Sequence, residues 1–379
     1  MTTKRVASTL VLSILLIGGP SLALAQGGMA GMPGMDMGHE IVIPKGAPYT
    51  KADVEFMQGM IAHHAQAIVM SRMAESHGAN PQVLKLSNKI DQSQVPEIHI
   101  MQGWLQRNNL AEIRACGNFE FFPVDIREDE KLRAVFQRFQ PEVVVHLAAR
   151  PGVRPSFLQP DAYVSNNVAG TARLLEVSRQ HRVPRFVFAS SSSVYGKDNR
   201  APFREDASTG TPLSIYAATK VSGEALAFTY SEAYPLSVVC LRLFTVFGPR
   251  QRPDLAIRKF AGMILEGAEV PLYGDGSIQR DFTYIDDIVE GIVRALETPG
   301  RFEVFNLGNS HPVRVDYMVD TLERALGKPA RRKFLPAPPG EMILTHADLT
   351  KARQVLGYSP TVSFEDGILR FADWLKSRA

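Results

Sequence analysis

Between Phe188 and Lys220 the chain reads FASSSSVYG, then a Pro- and Gly-containing loop, then SIYAATK, and this order leaves few folds open. The β-branched and aromatic run Val183, Phe186, Val187, Phe188 has the unbroken apolar character of a parallel strand buried on both faces. It stops in four serines, Ser190 to Ser193. Tyr216 and Lys220 follow at a helix start with four-residue spacing, which places a phenol and an ammonium on one helix face. Open α/β sheets put their sites at the carboxyl ends of the strands, so the serines and the Tyr–Lys pair belong to one site. A cation beside the phenol favours phenolate, and the spacing therefore predicts a Tyr216 pKa below the usual ~10. A serine hydroxyl bonded to the same substrate oxygen completes a set suited to taking a proton from a sugar or alcohol hydroxyl while a hydride leaves the carbon.

From Gln106 onward, strand and helix patterns alternate, as a parallel sheet requires. Strands are predicted at Phe119–Val124, Val143–Leu147, Arg185–Ser190, Ser237–Leu243 and Val304–Leu307. Helices are predicted at Glu128–Phe139, Asn167–Gln180, Ile215–Ala233, Leu255–Gly267 and Ile285–Glu297, with Asp286 and Asp287 capping the last. Two more helices and a proline-rich loop, Leu335–Pro339, follow from Pro312. The 379 residues, 45% hydrophobic and 21% charged, suffice for two or three cores. A formal net charge of +3 offers no argument for nucleic acid or a membrane surface. Cys116 and Cys240 lie too far apart in sequence for a disulfide framework or zinc spacing, and buried free thiols are expected.

The first quarter of the chain has a different composition. Lys4 and Arg5 precede the apolar run Val6–Gly18, and Leu22-Ala23-Leu24-Ala25 offers a small-x-small cleavage site, so residues 1–25 read as a secretory signal peptide and the chain as exported, to a periplasm for example. No membrane association is expected after cleavage. Residues 26–50 form a Met/Gly-rich linker. Its Gly28-x-x-Gly31-x-x-Gly34 matches a dinucleotide loop in spacing only, because no strand precedes it, Pro33 interrupts it and no helix follows at once. Residues 51–105 read as a helical module in which Met60, His63 and His64 converge on one surface and Met57, Met70 and Met73 extend the stripe. Thioether and imidazole together suit copper. With Asp53, Phe56, Ile68, Gln94, Glu97, Met101 and Trp104, this stretch resembles the exported copper-binding, ferritin-like proteins carrying M-x-x-H-H, which implies an α-helical hairpin or bundle.

The remainder, residues 106–379, resembles the extended short-chain dehydrogenase/reductases, and among them the nucleotide-sugar 4-epimerases of the UDP-glucuronate type. The matching residues are Asp125-Ile126-Arg127, His146-Leu147-Ala148-Ala149, Asn167-Val168-x-Gly170-Thr171, the serine–VYG–YxxxK set, Arg242 to Pro249, Arg252-Pro253-Asp254 and Arg280 to Asp287. The resemblance implies a Rossmann-type parallel sheet with a small C-terminal substrate lobe, NAD as cofactor and a UDP-sugar as substrate. It makes Tyr216 the acid/base, Lys220 the holder of the nicotinamide ribose and Ser191 the partner of the sugar hydroxyl, with Ser193 beside it. Asp125 and Ile126 then face the adenine, Leu147, Ala148, Ala149 and Asn167 lie along the cofactor, and Thr245, Arg252 and Arg280 face the substrate. His146 is expected in the core or at the cofactor's edge. Relatives pair through helices matching Asn167–Gln180 and Ile215–Ala233, which implies a homodimer.

Such proteins begin with a strand, a Gly-rich turn, a helix and a second strand that cradle the pyrophosphate, and residues 106–379 contain no such segment. The sheet is therefore expected to be truncated, with an unpaired edge at Val143–Leu147 unless Phe119–Val124 slides beside it, and turnover is expected to be impaired. Export also conflicts with the cytoplasmic supply of NAD and nucleotide sugars. Two alternatives stand beside an impaired epimerase: an exported copper-binding protein with a passive C-terminal part, and a non-functional gene fusion.

Overall fold

The computed structural model describes residues 9–10 as backbone, together with 119–122, 124–336 and 342–377. The linker, the methionine–histidine stretch read above as a helical module, with Met57, Met60, His63, His64, Met70 and Met73, and Cys116 lie outside the described residues. Thr9–Leu10 and the part from Val124 to Lys376 belong to one compact unit. Among the described residues no helix is long and apolar enough to cross a membrane.

Five strands form the main sheet: β1 (Thr9–Leu10), β2 (Val143–His146), β3 (Arg185–Ser191), β4 (Ser237–Leu243) and β8 (Phe302–Leu307), all parallel and in the spatial order β1-β2-β3-β4-β8. Helices α1 (Asp129–Phe139), α2 (Gly170–Gln180), α3 (Ile215–Ala233) and α5 (Ile285–Ala295) make the crossovers. Strand β3 is buried along nearly its whole length, as its unbroken apolar run predicts. The smaller lobe holds β5 (Thr245–Phe247), β7 (Gln279–Tyr284) and β9 (Pro312–Arg314) in one sheet, and β6 (Glu269–Tyr273) with β10 (Arg331–Leu335) in another. Helices α4 (Ala256–Glu266), α6 (Val315–Leu326) and α7 (Phe364–Lys376) cover it.

Each part has its own core. Val145, Val187, Val239, Leu241, Phe305 and Leu307 of the main sheet pack with Tyr195, Ile288 and Tyr358. Phe247, Phe282, Phe364, Ile368 and Phe371 centre the lobe. Each such side chain stabilises the fold by roughly 1.5–3 kcal/mol on burial. The α/β architecture with its lobe agrees with the sequence reading.

Three sequence expectations need correction. Phe119–Phe122 carry no strand, and β2 is not an open edge: Thr9 pairs with Val143 and Leu10 with Val144. The first two residues of β2 thus find partners within the sequence read as a signal peptide. Asp286 and Asp287 do not cap α5, whose N-cap Tyr284 makes no side-chain bond. Asp287 instead accepts hydrogen bonds from the Thr361 and Val362 amides at 2.9 and 3.2 Å and from the Thr361 hydroxyl at 3.2 Å, tying α5 to the segment before α7.

Candidate active site

Helix α3 docks on β3 in a stepped register that builds the site. Gly223 meets Phe188, and a Cβ there would stand 2.4 Å from Phe188 Cζ, so only glycine lets the helix approach so closely. One residue further along β3, Ala189 O accepts a hydrogen bond from Lys220 Nζ at 2.6 Å. The Ser190 hydroxyl donates to Glu224, and Ser191, the next residue, lies close enough to Tyr216 for its hydroxyl to pull the phenol's pKa down. Ser214 caps the helix, its Oγ accepting from Ala217 N at 3.0 Å. Such a cap is worth about 1 kcal/mol, and it fixes Tyr216 in the first turn, where the helix dipole favours negative charge. Beyond β3 the chain turns at Ser191, whose Oγ also accepts from Ser193 N at 3.2 Å, with Ser193 Oγ 3.2 Å away.

The electrostatics differ from the expectation that Lys220 lowers the Tyr216 pKa. Burial raises the phenol above its ordinary value and outweighs the downward pulls of the Ser191 hydroxyl and the Arg252 charge. The Lys220 ammonium has turned to Ala189 O and lies 5.0 Å over the Phe188 ring and 6.0 Å from the centre of the Tyr216 ring. Burial lowers Lys220 to about 8, against the upward pull of Glu224 and Cys240. The i,i+4 spacing brings the two groups to one face, as predicted, but does not aim the ammonium at the phenol oxygen.

Around this centre, Leu147 is exposed, Ala148 buried and Ala149 half-buried at the carboxyl end of β2. Asn167 stands in a π-helical segment, Val164–Ala169, and is buried. Its Oδ1 accepts from Arg150 N at 2.7 Å, while Nδ2 donates to Arg150 O and Thr219 Oγ1, both at 3.0 Å. The amide is thus spent on joining the loop after β2 to α3. Ile126 is fully buried against Gly170. Asp125 is gripped by Arg127, whose Nε and Nη2 donate to it at 3.0 and 2.7 Å. Thr245 is half-buried at the start of β5. Half-buried Arg252 pairs with Asp254 at 2.9 and 2.6 Å, yet its charge is felt at both Tyr216 and Tyr163. Arg280 Nη1 donates to Gln279 O at 2.9 Å. Thus Ser191, Ser193, Tyr216, Lys220 and Arg252 gather at one place, whereas Asp125, Ile126 and Asn167 are spent on protein partners. Cys240 is a buried free thiol, as expected.

His146 is buried and neutral. Thr171 Oγ1 spends its proton on Asn167 O at 2.6 Å, so at 2.9 Å it accepts from His146 Nε2, and His146 Nδ1 has no partner. Burial first, then the Lys220 charge, lowers the imidazole to about 3. The unfolded chain takes up this proton near pH 6.5 and the folded chain only near 3. Stability is therefore full above pH 6.5 and declines as pH falls towards 3, by at most about 1.4 kcal/mol per pH unit for one proton. Denaturant titrations between pH 3.5 and 6.5 should show a shallower acid decline in His146→Asn; an unchanged slope would assign the decline to other groups.

Sequence reasoning assigned no role to Glu224, and none beyond the motif match to Arg242 and Asp281. A lone arginine in the strand SVVCLRL and an acid four residues after Lys220 were the available signals. Among the described residues no cluster of His, Cys, Asp and Glu could hold a metal.

Comparison with known proteins agrees with this geometry. Residues 61–308 match the NAD dependent epimerase/dehydratase family. The chain belongs to that family. The match begins within the stretch 51–105 that the sequence assigned to a helical module. A UDP-glucuronate 4-epimerase of Thermodesulfobacterium geofontis is 40% identical over 268 residues, covering 70% of this chain and 82% of that protein. One from Arabidopsis thaliana is 41% identical over 72% of this chain and 65% of its own length. The solved UDP-glucuronic acid 4-epimerase of Bacillus cereus, in complex with UDP-glucuronic acid and NAD, superposes with a TM-score of 0.68 at 40% identity, covering 73% of this chain and 87% of that one.

The residues of this family member fit one half of NAD. Of the three N–H donors on buried Lys220, one meets Ala189 O, and the other two suit the vicinal hydroxyls of the nicotinamide ribose. For the pyrophosphate, the described residues contain no strand–Gly-rich turn–helix.

Proposed function

We propose that this site is the proton-transfer half of a UDP-glucuronate 4-epimerase, and that weak NAD binding limits its turnover. The observation that carries the proposal is the stepped docking of α3 on β3, which sets the Ser191 hydroxyl against Tyr216 at the carboxyl end of the sheet. The relatives named above support the choice of sugar. NAD, when bound, supplies the hydride acceptor for sugar C4. Tyr216 Oη takes the C4 hydroxyl proton and returns it after the keto-sugar has turned over, while Ser191 Oγ holds that hydroxyl. Because burial raises the phenol's pKa, its anionic form depends on nearby cations, of which Arg252 is one. Arg252 and Thr245 suit a sugar carboxylate, and Arg280 suits the diphosphate, since a guanidinium meets two oxygens at once.

The test incubates the purified chain with UDP-glucuronate at millimolar NAD and follows the C4 epimer by chromatography, with UDP-glucose run in parallel. Conversion is expected for the uronate, and Tyr216→Phe should slow it by about 10²–10⁴-fold, the usual worth of a positioned acid/base. Equal rates in the two forms would remove Tyr216 from the chemistry, and faster conversion of UDP-glucose would remove the uronate assignment.

A further inference from the structure

One buried ionic cluster has no part in the mechanism above. Glu224 lies one helical turn after Lys220 on α3 and is almost wholly buried. Its carboxylate accepts from Arg242 Nε at 3.0 Å and Nη2 at 2.8 Å, and from the Ser190 hydroxyl. Arg242, itself buried on β4, sits beside Ser190 in the sheet, stacks 4.8 Å over the Tyr195 ring and donates to Glu205 O at 3.1 Å. Burial of a bare carboxylate and a guanidinium is costly unless every lone pair and proton is met, and here the fork-on-fork pair and the serine meet most of them. The position is specific. Lys220 holds Ala189, Glu224 holds Ser190, and the next residue, Ser191, faces Tyr216.

We propose that Glu224, clasped by Arg242 and Ser190, is a positioning residue for the acid/base pair, keeping Lys220 charged and docked on Ala189 O so that Ser191 faces Tyr216. Its catalytic sense rests on the epimerase reading. The groups facing the ammonium are few. Tyr216 and Glu224 come from α3, the Phe188 ring from β3, neutral His146 from β2, and Cys240 from β4, where Arg242 acts through Glu224. Glu224 is the carboxylate in this set, and it offsets the burial that pulls Lys220 down. An opposite charge close by moves a buried group by about one pH unit or more.

The test is NMR of the chain without cofactor, carrying 13Cε-labelled lysine, with the Lys220 signal assigned by its loss in Lys220→Met. In Glu224→Gln the Lys220 titration midpoint should fall by about one pH unit. Because this variant strands the Arg242 charge and can fail to fold, Glu224→Gln combined with Arg242→Met removes both charges together, and a smaller fall in the same direction is expected. A midpoint unchanged in the folded double variant overturns the proposal and leaves Glu224 a packing residue. A shifted midpoint together with no epimerisation by the wild-type chain would sink the epimerase reading and leave the role of Glu224 standing.

Discussion

NAD titrated into the purified chain is expected to bind with a dissociation constant of about 1 mM or weaker, at least about 10³-fold above that of a chimera carrying a relative's strand–Gly-rich turn–helix segment ahead of residue 107. The magnitude comes from what a Gly-rich cradle, which the described residues do not contain, supplies. Backbone amides at a helix N-terminus give a pyrophosphate two or three charge-assisted hydrogen bonds of roughly 1.5–3 kcal/mol each, aided by the helix dipole. Losing about 4–6 kcal/mol corresponds to three to four decades in affinity. Arg127, the cation beside Asp125, is held by that carboxylate and donates to Ser165 Oγ at 3.1 Å. On the proposed reading, Lys220 remains for the ribose, beside exposed Leu147 and buried Ala148. Isothermal titration of both proteins checks this. A micromolar constant for the unaltered chain would show that other residues bind the diphosphate, and would remove weak binding as the limit on turnover.

How far the sequence could be read depended on whether a residue's role is local. Strand β4 and helix α3 fall where their patterns put them, because a continuous apolar run and a Ser-capped helix are properties of contiguous residues. The stepped set at β3 and α3 was legible for the same reason. Spacing along one helix and position at the end of one strand settle which groups meet. The direction of the Tyr216 shift was not legible, because it depends on Lys220 turning to Ala189 O and on how deeply the phenol is buried. Asn167 stands in a π-helical segment and bonds Arg150 and Thr219, a link that leaves no mark in sequence periodicity. The small strands β6 and β10 escaped notice too. They pair across about sixty residues, from Glu269↔Arg331 to Tyr273↔Leu335, and β10 reads RRKFL, a charged run that becomes a strand only beside its partner. Asp281 shows the same limit most plainly. In the string RDFTYIDD it looks like one acid among several, and only the fold reveals what it holds.

Asp281→Ala is expected to cost about 3–5 kcal/mol of stability, a loss at the upper end for a single truncation. The carboxylate is completely buried and accepts from Asn309 N at 2.7 Å, Ala347 N at 2.9 Å and Ser310 N at 3.0 Å, while its own amide donates to Thr345 Oγ1 at 3.0 Å. It therefore joins three segments far apart in sequence: β7, the turn after β8, and the stretch around Ala347. Alanine would leave three buried N–H groups unpaired, each costing about 1–3 kcal/mol, with partial relief where the turn relaxes. Close packing at Gly308 limits that relaxation, since a Cβ there would already stand 2.6 Å from Ala347 Cβ. For a domain of this size the loss should lower Tm by about 10 °C, measurable by calorimetry. Asp281→Asn separates the two contributions to the carboxylate. Burial pushes its pKa up while the three amides pull it down, with burial the larger effect. A carboxyl raised in the folded state loses stability as pH climbs from the unfolded value near 4 through the folded one. Asparagine, which keeps one acceptor oxygen without the charge, should therefore cost less than alanine, and the gap between wild type and Asp281→Asn should narrow as pH rises from 4 to 6. A Tm within a degree or two of wild type for Asp281→Ala would mean that water or a rearranged turn satisfies the three amides, and that Asp281 does not hold the lobe against the sheet.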